Sequence, residues 1–167
     1  MKTIFGILFG ILLTVCSIKA ANPVPYTFDV QGLILGNKYT NTQTRVKLGN
    51  NPLKMETWDD GEVVGREYRY GATINYNIFY FGGEQDEFSR FILVDSTYSI
   101  FEGHIKVGYN ISKFGLLGGG LLMLKETDGN NNKSYEFYPI GNESEVFLTI
   151  KTDQYGKITS MWAELPV

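Results

Sequence analysis

One histidine and one cysteine in the whole chain decide most of what its side chains can do chemically. His104 stands alone, so neither a His-based metal site nor a His-Asp-Ser triad can be assembled. In a strand, a lone histidine reads as a surface or pairing residue. Carboxylates come closer to a pattern: Asp59, Asp60 and Glu62 lie together, as do Glu84, Asp86 and Glu87. Such a pair works as acid and base only when burial or a neighbour raises one pKa. Both clusters flank glycine on predicted turns, where solvated carboxylates keep ordinary values. Asp128-Gly129-Asn130-Asn131-Asn132 has calcium-loop composition, yet an EF-hand would need glycine where Lys133 stands and glutamate where Pro139 stands. A hairpin loop is the better reading. The glycines at 115 and 118–120 match a phosphate loop only in number. No Lys-Ser/Thr follows, and Leu121-Leu122-Met123 opens a strand. The chain is therefore expected to be no enzyme and to carry no metal and no cofactor.

Residues 1–20 read as an export signal. Lys2 supplies the positive start, and the apolar run 4–18 is too short for a stable membrane span. A second reading takes Leu13-Thr14-Val15 as a lipobox and Cys16 as the lipidated residue, although Val15 stands where a small residue is required. Soluble export, to the medium or the periplasm, is the expectation; an outer-membrane lipoprotein anchored through Cys16 is the alternative. With cleavage after Ala20 the mature chain has no cysteine, which excludes disulfides, zinc thiolates and thiol nucleophiles together. Removing Lys2 and Lys19 leaves 13 basic against 18 acidic residues, a formal charge of −5. No basic run remains to neutralise phosphates, so nucleic acid is not expected as a partner.

The elements that must position any surface come in two copies. Leu53-x-Met55 and Asp60-Gly61 recur as Leu121-x-Met123 and Asp128-Gly129, a shift of 68. Tyr68-x-Tyr70, Phe79-x-Phe81 and Phe91-x-Leu93 recur as Tyr135-x-Phe137, Val146-x-Leu148 and Ile158-x-Ser160, a shift of 67. Duplication of a small folding unit explains such spacing. Short helices are expected over about 38–48 and 109–117, each closed by Leu-Gly. Four strands follow each, at 53–58, 63–70, 72–81 and 88–95, then 121–126, 134–138, 145–151 and 157–164. The class expected is α+β: two tandem repeats, 21–101 and 102–167, each a short helical segment plus a four-stranded antiparallel meander.

Alternation assigns faces. Tyr68, Tyr70, Phe79, Phe81, Phe91 and Leu93 are expected inside, beneath the helices. Tyr76, Ile78, Tyr80 and Ile92 then point the other way, with Trp58 at the hairpin end. That aromatic-aliphatic set is the candidate docking site for a protein partner, since exposed patches of this kind mark interfaces.

Ile34-Leu35-Gly36, Val46-x-Leu48-Gly49-x-x-Pro52 and Tyr68-x-Tyr70, with Ile105-x-Val107-Gly108, Leu117-Gly118 and Tyr135-x-Phe137, resemble the β-lactamase inhibitory protein family. Small outer-membrane assembly lipoproteins of bacteria share a single-copy relative of that unit. The resemblance implies an aromatic-rich sheet surface that docks onto another protein. The secreted inhibitor has disulfides within its repeats, and this chain has none. Three functions stay in play: a secreted or periplasmic binding module, an envelope-associated structural or assembly protein, and a small-ligand carrier or hydrolase.

Overall fold

The computed structural model describes residues 28–59, 64–71, 74–82, 86–117, 120–139 and 146–166, the side chains of 58, 59 and 64 excepted. In chain order they form β1 (Asp29–Val30), β2 (Leu33–Ile34), α1 (Asn41–Leu48), β3 (Lys54–Asp59), β4 (Val64–Gly71), β5 (Tyr76–Gly82) and β6 (Glu87–Leu93). Then come β7 (Ser99–Ile100), β8 (Ile105–Lys106), a 3-10 helix (Ile111–Leu116), β9 (Gly120–Thr127), β10 (Lys133–Pro139), β11 (Leu148–Thr152) and β12 (Ile158–Glu164).

Eight of the strands make one antiparallel sheet in the order β3-β4-β5-β6-β12-β11-β10-β9. The two meanders therefore join through their last strands. At that seam Leu93 pairs with Met161, Ile92 with Trp162 and Phe91 with Ala163. Alternation is plainest in β5, where every second residue is buried, so Asn77, Phe79 and Phe81 face inward.

The inner face is covered chiefly by a second sheet, which corrects the expected α+β class. The hairpins β1–β2 and β7–β8 pair through Val30 and Ile100 into a four-stranded antiparallel sheet. Of the described residues 53% are strand and only 12% helix, so the fold is mostly β and not two helix-plus-meander repeats. The helical pieces are small. α1 starts in a Thr40/Gln43 capping box yet buries only Thr44 and Leu48. A helix of eight residues is marginal alone and holds by packing. The boundary expected between 101 and 102 falls inside the turn of the β7–β8 hairpin.

Both hairpins are tied to the large sheet in the same way. Gly36 N–H donates to the Phe88 carbonyl at 2.9 Å, and Phe88 N–H to the Asn37 carbonyl at 2.8 Å. Gly108 N–H donates to the Ile158 carbonyl, and Ile158 N–H to that of Tyr109, each at 2.8 Å. The chain bends sharply at both glycines, φ 91° and 94°, which residues with a Cβ rarely adopt.

Between the layers lies one core. Phe28, Val30, Leu33, Tyr98, Ile100 and Phe101 of the small-sheet layer meet Tyr68, Phe79, Phe81, Phe91, Phe137 and Leu148 of the large sheet. Tyr98 packs edge-on to Phe79 at 5.0 Å and Phe101 to Phe137 at 5.7 Å between ring centroids. Each ring so buried contributes about 1.5–3 kcal/mol relative to exposure. Among the described residues, no helix is long and apolar enough to cross a membrane.

Candidate functional site

With Tyr68, Phe79 and Phe91 turned inward, the residues between them turn out. Pairing strings these into a single row across all eight strands: Lys54, Arg69, Ile78, Ile92, Trp162, Thr149, Glu136 and Met123. A second row beside it runs Glu56, Glu67, Tyr80, Arg90 and Glu164. The structure thus brings Tyr76, Ile78, Tyr80 and Ile92 onto one face, all partly buried. Trp58 pairs with Gly65 in β3, and its side chain lies outside the described residues.

What shields the rings is basic rather than apolar. The Arg69 guanidinium lies 5.6 Å from the Tyr76 ring centroid, that of Arg90 3.9 Å from Tyr80, and the Lys151 ammonium 5.4 Å from Trp162. Such stacking is worth about 0.5–1 kcal/mol at exposed sites and more where water is excluded. Carboxylates fix the cations in turn. Arg69 Nε pairs with Glu67, and its Nη2 lies 3.3 Å from Glu56, which also pairs with Lys54. At the far end Lys125 reaches Glu136 at 2.9 Å.

The electrostatics follow from these contacts. Burial, then the hydrogen bond to Glu67, pushes the Tyr80 phenol up. The hydrogen bond from Lys54 holds the Glu56 carboxyl down. Hydrogen bonds from Tyr138 and then Lys125 do the same for Glu136. Among the described residues Arg90 Nε is buried with no acceptor, while Nη1 stands 3.6 Å from Glu164.

Reading the sequence missed Trp162, Arg69, Arg90 and Lys151. Trp162 was lost to a β-bulge. Lys151 pairs with Ser160, but Thr152 pairs with Ile158, so Thr159 is extra and the faces exchange. β6 carries the same slip, Tyr80 opposite Arg90 but Phe81 opposite Phe88, with Ser89 extra. In β12 the buried residues are Ile158, Met161 and Ala163, so Ser160, which the sequence spacing matches to Leu93, does not share its place in the core. The two apolar triplets, Phe88, Phe91, Leu93 and Ile158, Met161, Ala163, were the available signal.

The remaining chemical candidates are held in structural roles. Asp86 pairs with Arg66 Nε at 2.8 Å. Asp128 accepts from the Asn130 and Asn132 backbone and from the Asn132 amide, closing the β9–β10 turn and lowering its own pKa, chiefly through Asn132. Asp60, Glu62 and Glu84 lie outside the described residues, as does the side chain of Asp59. His104 is exposed, in the β7–β8 turn. Among the described residues no group of three or more His, Cys, Asp and Glu is placed to hold a metal ion. A shallow cavity of about 490 Å³ lies over Asp29, Gly32, Ser99 and Glu102. There the Asp29 carboxylate bridges the hairpins, accepting from Gly32 N–H at 2.8 Å and Glu102 N–H at 2.9 Å. Comparison with protein-family models, curated proteins and solved structures finds no match for this chain, so the likeness to the β-lactamase inhibitory protein rests on residue spacing alone.

Proposed function

We propose that this chain is a non-catalytic protein-binding module, secreted or periplasmic, that docks through the outer face of its large sheet. The observation that carries the reading is the row Arg69–Ile78–Ile92–Trp162 across the β6–β12 seam, flanked by Tyr76 and Tyr80. Aromatic rings and arginine are the residues that most often dominate interface energies. Held on paired strands over a packed core, they are ordered before binding, which lowers the entropic cost of association. Arg90 adds direction: its guanidinium, stacked on Tyr80 and within 3.6 Å of Glu164, suits a partner that presents a carboxylate beside aliphatic surface. The location rests on residues 1–20, which lie outside the described part of the chain.

Site-specific photo-crosslinking in the exporting cell tests this. A photoreactive residue in place of Tyr80 should yield a discrete protein adduct. The same residue in place of the exposed Ser112, on the other side of the molecule, should not. Ile92→Glu should abolish the adduct while circular dichroism stays unchanged. No adduct at Tyr80, or equal adducts at both positions, would refute the docking face.

A further inference from the structure

The large sheet ends at β9, and among the described residues no strand pairs with its outer edge. A bare edge is a row of backbone donors and acceptors, and proteins normally guard it with charge, proline or a bulge. The opposite edge, β3, is guarded by Lys54 and Glu56. β9 is not guarded over its first five residues, Gly-Leu-Leu-Met-Leu. Leu121, Met123 and Leu124 there are 56, 41 and 54% exposed. The first charge is Lys125, and it sits at a bulge: Glu126 pairs with Ser134 but Leu124 with Tyr135, leaving Lys125 extra. The regular ladder therefore ends where the apolar run ends.

We infer that this edge pairs with the same edge of a second copy of the chain, antiparallel and two-fold, over residues 120–124. The strand is complementary to itself in one register. With Leu122 opposite its own copy, Leu121 meets Met123 and Gly120 meets Leu124, each twice. Inner-face residues oppose inner-face residues, so the sheet continues across the axis with its faces matched. Every cross-strand pair is apolar. Lys125 and its copy fall beyond opposite ends of the ladder, so no like charges meet. A strand is the occupant because only a strand satisfies the backbone groups along an edge.

The protein purified after expression of the full chain is examined by analytical ultracentrifugation, as wild type and as Leu121→Glu/Met123→Glu. Both positions are exposed, so the fold should survive, and circular dichroism checks it. The wild type should show a concentration-dependent dimer, and the variant should fall to the mass of one chain. In hydrogen exchange, wild-type amides at 120–124 should slow as concentration rises. A wild type that stays monomeric overturns the proposal, as does a dimer that persists in the variant. If the variant misfolds, wild-type exchange decides alone: rates at 120–124 independent of concentration overturn it. Loss of the outer-face crosslink would leave this result untouched, because the two surfaces are tested separately.

Discussion

Raising the pH should unfold this protein from its tyrosines. Tyr68, Tyr70 and Tyr98 are buried between the sheets, and burial raises the phenol pKa of each. Tyr70 is pushed from 10.0 up to about 12, by burial first and then by Tyr68. Its hydroxyl donates to the Gly49 carbonyl at 2.9 Å, while that of Tyr98 donates to Leu48 at 2.7 Å, so both phenols hold the end of α1. The folded-state pKa lies above the unfolded one. The stabilisation from a neutral Tyr70 is therefore complete below about pH 10 and lost as pH climbs toward about 12. One unit of separation is worth about 1.4 kcal/mol, so Tyr70 alone should cost about that much by about pH 11. Tyr98 shifts in the same direction and adds to the slope. Urea denaturation followed by circular dichroism at stepped pH measures it, with absorbance reporting phenolate formation. Tyr70→Phe should lose about 1 kcal/mol at neutral pH, by removing the hydrogen bond, yet decline less steeply with alkali. Equal slopes for wild type and variant, or all tyrosines ionising near pH 10 in the folded protein, would refute the reasoning.

Three further outcomes are expected. A Cβ on Gly120 would overlap the buried Phe137 ring, so Gly120→Ala should destabilise by about 1–3 kcal/mol in a denaturation midpoint. Arg66 bonds Asp86 and Tyr68 Oη at 2.8 and 2.7 Å and the Tyr39 carbonyl at 2.8 Å, so Arg66→Met should cost about 2–3 kcal/mol. Arg66→Lys should recover little of that loss, since an ammonium cannot span the three acceptors; near-full recovery would show that charge alone matters. Among the described residues the buried Thr152 hydroxyl has no hydrogen-bond partner, so Thr152→Val should be neutral or raise stability by about 1 kcal/mol, and a lower melting temperature would contradict that.

The sequence by itself determined which residues of β4, β5 and β6 face inward, because side-chain alternation is a local property of extended chain. Tyr68, Tyr70, Phe79, Phe81, Phe91 and Leu93 are all buried. Tyr76, Ile78, Tyr80 and Ile92 followed by parity alone. Tertiary structure decided the rest, for three physical reasons. Strands of two residues, such as Asp29–Val30 and Ser99–Ile100, are too short to show a period, so the covering sheet was invisible and the helices were given its role. A bulge is a single extra residue that exchanges the faces beyond it, and the one in β12 put Trp162 on the outer face and Met161 in the core. The seam pairs Leu93 with Met161 across a long stretch of chain, and no local pattern records such a pairing. Cations came to lie over aromatic rings only once neighbouring strands set Arg69 beside Tyr76 and Arg90 beside Tyr80.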